Sequence, residues 1–134
     1  MERRQAQGFA TQFGSFVVEG DHISCIVDGI EFRARLEHDW DCRPEDSECY
    51  TKRQIQAWKD DQWHYFGLVV SAHVDGIELG DFASLWGIEG NFPSRRKNPN
   101  KYFLEVANEL LTEAIESAKT EARRIRSVLE KVAA

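Results

Sequence analysis

Two nearly identical turn sequences constrain the fold more than any other feature of this chain. Val-Asp-Gly-Ile-Glu occurs at residues 27–31 and again at residues 74–78. Asp-Gly between apolar residues is typical of a two-residue β-hairpin, because both central positions need a positive φ. Each turn fixes the pairing of the strands that flank it. The sequence therefore predicts two antiparallel hairpins.

The first turn also predicts which side chains face the core. Counting outward from the turn gives three apolar pairs on one face of the hairpin: Val27–Ile30, Cys25–Phe32 and Ile23–Ala34. The opposite face of the second strand carries charged side chains: Glu31, Arg33, Arg35 and Glu37. One apolar and one charged face indicate an antiparallel sheet that is covered on one side. We expect residues 15–19 to form a preceding strand.

The second hairpin is predicted to be less regular than the first. Residues 65–74 alternate in the manner of a strand, and the turn places Val74 opposite Ile77 and Ala72 opposite Leu79. Continuing this register would bring a charged residue to the core face. We therefore expect a bulge at Gly80 that returns Leu85 to the core.

Helix signals lie between the hairpins and after them. Thr51 and Gln54 have the spacing of a capping box, which predicts a short helix over about residues 52–61 with Ile55 and Trp58 on its buried side. Asn98 and Pro99 are typical of the start of a second helix, and apolar spacings of three and four then continue almost to the C-terminus. At about 1.5 Å per residue this helix exceeds the length of a small sheet.

These elements define an α+β fold. We predict an antiparallel sheet of about five strands, a short helix between the hairpins, and a long C-terminal helix packed on one face of the sheet. The chain of 134 residues suits a single domain. We place this domain at residues 15–134, after a flexible N-terminal arm at residues 1–14 that could dock through its phenylalanines. Residues 121–134 are expected to project as a helical extension, which fits pairing with a second copy.

Composition favours a cytoplasmic protein. The cysteines are three in number, none belongs to a Cys-x-x-Cys pair, and the polar start does not resemble a targeting segment. No apolar stretch is long enough to span a membrane. The net charge of −6 disfavours direct binding to nucleic acid.

An acidic segment after the first hairpin is the main candidate site. Within twelve residues it contains six carboxylates and an aromatic residue, which are Glu37, Asp39, Trp40, Asp41, Glu45, Asp46 and Glu48. Such a run is often only a solvated loop. Its functional interpretation is a docking surface for a protein with a basic, nucleic-acid-binding surface, because carboxylates can occupy sites that otherwise hold phosphates. Trp40 would then be the exposed anchor, since Trp is enriched at binding hot spots.

The same segment contains residue types that occur in metal sites and in catalytic sites. His38, Cys42 and Cys49 are ligand types that zinc accepts, but their spacing matches no common ligand pair and a fourth ligand is missing. Cys42 or Cys49 with a histidine base would suit a nucleophilic enzyme, yet no spacing selects a pair. We therefore predict a protein that is not an enzyme and that needs no metal or cofactor.

Several segments together carry a family resemblance over about residues 15–120. They are residues 43–50, 55–63, 66–70, 84–89 and 107–111. In this combination the chain resembles a family of short proteins from bacteriophages, prophages and plasmids. The resemblance implies a gene setting and not an activity. Small acidic proteins from such settings often inhibit host defence, as anti-CRISPR proteins do.

Sequence and setting together predict a mobile-element accessory protein that inhibits a host defence or nucleic-acid-handling protein by binding to it. Two alternatives stay open. One is a protein that sequesters a nucleotide signal, with Arg33, Arg35 or Arg95 on the phosphates and aromatic rings on the base. The other is a phage assembly subunit that dimerises through the C-terminal helix.

Overall fold

Both Asp-Gly turns form hairpins with the predicted register. In the computed structural model of the chain, which describes residues 8–94 and 97–133, Asp28 and Gly29 have φ angles of 52° and 79°. The corresponding angles at Asp75 and Gly76 are 51° and 80°. Positive φ at both central positions matches the right-handed twist of the flanking strands, which is why this turn type closes a two-residue hairpin.

The described part of the chain forms a five-stranded antiparallel sheet and two α-helices, as predicted. In chain order the elements are β1 (His22–Val27), β2 (Ile30–His38), a 3-10 turn (Pro44–Asp46), α1 (Lys52–Lys59), β3 (His64–Val74), β4 (Ile77–Glu78), β5 (Ala83–Gly90) and α2 (Tyr102–Ala133). The sheet order is β1, β2, β3, and both β4 and β5 pair with the remaining edge of β3. The architecture is therefore α+β.

Strand β3 is the centre of the molecule and is buried on both faces. Eight successive residues, from Tyr65 to Ala72, are buried. One face carries Phe66, Leu68 and Val70, which join the main core under α2. The other face includes Tyr65, which belongs to a second apolar cluster around Trp63. Burial on both faces corrects the prediction of a sheet with one wet face along this strand.

Helix α2 covers the sheet with its first half only. Its buried side chains are Phe103, Val106, Ala107, Leu111, Ala114 and Ala118. The helix begins at Tyr102, three residues after Pro99, because Asn98 instead caps a turn by accepting from the backbone N–H of Asn100 at 2.9 Å. No residue from 119 to 133 is buried. The helix therefore extends past the sheet as a rod.

The segment before β1 packs against the domain. Phe9, Phe13 and Val17 are buried in the main core, so residues 8–14 differ from the loose arm expected there, and residues 1–7 lie outside the described part. Residues 15–19 do not form the predicted strand. Instead, the backbone N–H and C=O of Val17 each bond at 2.8 Å to the side chain of Asn91. The side-chain amide of Asn91 thus forms the two backbone hydrogen bonds that a neighbouring strand would otherwise provide.

The second hairpin departs from its predicted path. Gly80 has a φ of 77° and lies so close to the α2 backbone at Ser117 that a β-carbon there would be 2.8 Å from the Ser117 carbonyl oxygen. The chain leaves the sheet edge at this point and returns at Ala83. The prediction that Leu85 is buried is wrong, because Leu85 lies on an edge strand with a neighbour on one side only and stays 42% exposed.

Candidate functional site

The acidic segment, residues 37–50, links the end of β2 to the start of α1. It is fixed to the domain at two places. The backbone N–H of Asp39 donates to the carbonyl of Tyr65 at 2.9 Å, and Pro44 is fully buried at the start of the 3-10 turn. An Asp39 carboxylate oxygen also accepts from the backbone N–H of Asp41 at 3.0 Å. The segment is therefore an ordered part of the domain surface.

The second apolar cluster supports α1 and the end of the acidic segment. Its centre is Trp63, whose indole N–H donates to the carbonyl of Gln54 in α1 at 2.9 Å. Tyr50 and Phe92 pack against the same ring, with centroid distances of 5.4 and 4.8 Å. Helix α1 begins with the predicted capping box at Thr51 and ends at Lys59, two residues before the predicted end. Because α1 is short, this packing is what holds it in place.

Trp40 is presented to solvent with a defined orientation. Its side chain is 76% exposed. One ring face stacks on His38, with centroids 4.4 Å apart and an interplanar angle of 12°. His38 is held in turn by the rings of Phe66 and His64, at 5.1 and 4.8 Å. The histidine therefore acts as a support that leaves the other face of the indole open.

The six carboxylates of the segment divide into two groups. Glu37 pairs with Arg35, and Asp39 accepts the Cys42 thiol at 3.4 Å. The ammonium of Lys59 and the guanidinium of Arg43 contact Glu45 at 3.3 and 3.0 Å, and hydrogen bonds from these two cations lower the pKa of that carboxyl.

The second group points into solvent. Asp41, Asp46 and Glu48 are exposed and form no ion pair with any described residue. They leave three negative charges on the segment that carries Trp40, with no counterion in the described part of the chain.

A cleft of about 400 Å³ lies next to Trp40, between the acidic segment, α1 and the start of β3. Aromatic rings and cations line it together, including Trp40, Trp58, His38, His64, Arg43 and Lys59. The guanidinium of Arg43 lies 5.6 Å from the centroid of the Trp58 ring. Sequence patterns did not indicate this cleft, because its residues come from three elements and no local spacing joins them.

The thiols are arranged as ordinary half-buried or surface groups. Cys25, Cys42 and Cys49 are free. Burial, together with the hydrogen bond to Asp39, raises the pKa of the Cys42 thiol, which disfavours the thiolate that a nucleophile or a zinc ligand requires. Burial also raises the pKa of Cys25. Within residues 8–94 and 97–133, no group of three His, Cys, Asp or Glu side chains could hold a metal ion.

Arg33 and Arg35, two of the three arginines predicted to bind phosphate, do not form a free site. Arg33 and Arg35 lie on the outer face of β2, and each is ion-paired with its neighbour on the same strand, Glu31 or Glu37. Arg95 lies outside the described residues. In α2, Arg124 pairs with Glu121 at 2.8 Å. The nucleotide alternative therefore gains no support from Arg33 or Arg35.

No protein-family model, curated protein or solved structure matches the chain. In the parts of the chain that the structure describes, no helix combines the length and the apolar character needed to cross a membrane.

Proposed function

We propose that this protein is a non-enzymatic binding protein whose acidic segment docks on a basic surface of another protein. The observation that carries the proposal is the 76% exposure of Trp40, an oriented ring, on the same segment as Asp41, Asp46 and Glu48, which pair with no cation among the described residues. An exposed indole supplies contact area at low entropic cost, since its orientation is already fixed. The neighbouring carboxylates supply attraction to cations and discrimination against acidic proteins.

The partner class follows from the charge of the segment. A surface that binds nucleic acid is rich in Lys and Arg and responds strongly to negative charge. Three carboxylates that are free to approach such a surface would compete with phosphates for it. Together with the resemblance to proteins of phages and plasmids, this favours a host defence protein or another nucleic-acid-handling protein as the target. The activity would be anti-CRISPR-like inhibition, in which the acidic segment occupies the surface of the target that binds nucleic acid.

Reversing the three unpaired charges is expected to abolish partner binding. Asp41, Asp46 and Glu48 would be changed together to Lys, and we expect affinity to fall at least about 100-fold, because attraction becomes repulsion at three positions. Trp40→Ala alone should weaken binding about 10- to 100-fold. The partner would be captured from bacterial lysate with the wild-type chain, purified, and titrated by calorimetry with and without competing DNA.

Two control variants make this test specific. Glu109, Glu113 and Glu116 lie exposed on α2, so changing all three to Lys alters the net charge equally, and we expect less than a threefold effect. Phe16→Ala removes another exposed ring and should leave affinity unchanged. Equal loss in the two triple variants, or a partner that binds DNA and this protein at the same time, would contradict the proposal.

A second candidate function, assembly through α2, is favoured by one observation. Beyond the sheet, α2 exposes four large apolar side chains: Ile125, Val128, Leu129 and Val132. Their spacings of three and four place them on one side of the helix. The same side continues from Ala118, which is buried against the sheet. A second copy could cover this stripe, since helices that bury such a face pair side by side.

If the stripe mediates pairing, sedimentation equilibrium should show a dimer fraction that rises with concentration. Ile125→Asp with Leu129→Asp should then give a monomer at all concentrations, because two charges would be buried in the contact. Ser127→Asp introduces a charge on the opposite side of the helix and should leave the dimer intact. A wild-type chain that remains monomeric at high concentration would remove this candidate.

A further inference from the structure

The cleft beside Trp40 differs chemically from the acidic surface around it. Its volume of about 400 Å³ lies within the range of small-molecule sites, roughly 300–1,000 Å³. Its walls carry the rings of Trp40 and Trp58 and the imidazoles of His38 and His64, and Tyr65 is part of the lining. Most such sites combine aromatic walls with a few polar groups that fix orientation. The polar groups of this cleft identify the kind of ligand.

The carboxylates that line the cleft are already engaged within the protein. Asp39 accepts from the Cys42 thiol and from the backbone N–H of Asp41. Asp61 contacts the ring of His64 at 3.2 Å. These internal contacts reduce the capacity of both carboxylates to accept from a ligand.

The unused groups of the cleft are donors. Arg43 and Lys59 each contact Glu45 through one nitrogen, which leaves most of their N–H groups free for another acceptor. The indole N–H groups of Trp40 and Trp58 have no hydrogen-bond partner among the described residues. An excess of donors calls for a ligand rich in acceptors.

Glu45 arranges the two cations for this role. One oxygen of its carboxylate contacts Arg43 at 3.0 Å and the other contacts Lys59 at 3.3 Å. The three groups carry a net charge of +1, and the shared carboxylate holds both cations at one rim of the cleft. Arginine and lysine held together in this way suit a phosphate or carboxylate group.

We propose that the cleft binds a small planar aromatic anion, with its ring against the indoles of Trp40 and Trp58 and its anionic group on Arg43 and Lys59. A nucleoside monophosphate and an aryl carboxylate share this chemistry. The cleft shares Trp40 and Arg43 with the acidic segment, whereas Trp58 and Lys59 lie in α1, outside residues 37–50, so variants of α1 test the cleft separately from docking to a partner.

The test is a calorimetric titration of the full chain with five probes. They are adenosine 5′-monophosphate, guanosine 5′-monophosphate, indole-3-acetate, adenosine and inorganic phosphate. We expect saturable binding of at least one of the three ringed anions. Adenosine and phosphate should bind at least about tenfold more weakly, because adenosine lacks the anionic group and phosphate lacks the aromatic ring. Preference for a nucleotide or for indole-3-acetate would decide between the two sources of the anion.

Variants within α1 show whether binding takes place in the cleft. Lys59→Gln should weaken the best probe about tenfold, whereas Lys52→Gln, an exposed lysine of the same helix that does not line the cleft, should have no effect. The Asp41, Asp46 and Glu48 triple variant should still bind the probe, even if no protein partner exists. Absence of saturable binding by all three ringed anions, equal affinity for adenosine, or equal effects of the two lysine variants would overturn the proposal.

Discussion

Trp63→Ala is expected to lower the free energy of unfolding by about 3–5 kcal/mol, the largest loss from any single substitution considered for this chain. Trp63 is fully buried, and its ring contacts Tyr50, Tyr65 and Phe92 at centroid distances of 5.4, 5.2 and 4.8 Å. Truncation would leave a cavity among three rings that the fixed strand β3 prevents from collapsing. Urea unfolding followed by far-UV circular dichroism measures the loss.

Trp63→Phe serves as the matched control. It keeps an aromatic ring in the cluster but removes the indole N–H that bonds to the Gln54 carbonyl. We expect a smaller loss, about 1–2 kcal/mol, from the unpaired carbonyl and the reduced volume. A loss below about 1 kcal/mol for Trp63→Ala would show that the cluster does not hold the domain together.

The parts of the fold that sequence predicted are those specified by local chemistry. Asp-Gly at residues 28–29 and 75–76 can close a two-residue turn only with positive φ. The position of each turn therefore predicted which residues pair across each hairpin. The capping box at Thr51 and Gln54 satisfies two backbone donors within one turn of helix. In each case the residues that decide the structure are neighbours in the chain.

The parts that sequence missed depend on contacts between distant residues. Burial of both faces of β3 requires the Trp63 cluster, and nothing in the alternation of the strand reveals that cluster. The path of residues 79–82 is set by α2, where the Ser117 hydroxyl accepts from the backbone N–H of Asp81 at 2.8 Å. Neither contact has a signature in local spacing, because each joins elements that are far apart in the chain.

The candidate site shows the same division. A run of acidic residues beside Trp40 is visible in the sequence, and the structure shows that the ring is exposed. Sequence could not tell which carboxylates are paired. Glu45 binds Lys59 of α1, whereas the adjacent Asp46 has no cation among the described residues. The cleft also escaped prediction, since Trp58 packs partly buried against the Trp63 cluster, as predicted for its side of α1, and also lines the cleft.

Four asparagines fasten the segment before β1, and sequence did not indicate this role for them. The Asn91 side chain forms hydrogen bonds of 2.8 Å to both the backbone N–H and the C=O of Val17. The Asn108 side chain accepts from the backbone N–H of Phe9 at 2.8 Å and donates to its C=O at 3.1 Å. Asn98 donates to the carbonyl of Phe13 at 3.0 Å. Asn100 is the central member of the set because it is fully buried. These amides, three from the loop between β5 and α2 and one from α2 itself, hold residues 9–17 in place without strand pairing.

Asn100→Ala is expected to cost about 3 kcal/mol, because it removes a fully buried amide that forms hydrogen bonds to two other residues. The Asn100 amide donates to the Gly14 carbonyl at 3.0 Å, and its oxygen accepts from the backbone N–H of Asn91 at 2.6 Å. Asn108→Ala also removes two hydrogen bonds, but its half-buried position lets water replace them, so a loss of about 1 kcal/mol is expected. Urea unfolding compares the two, and amide hydrogen exchange at Asn91 should accelerate only in Asn100→Ala. Equal losses for the two variants would mean that the buried amide is no more important than the peripheral one.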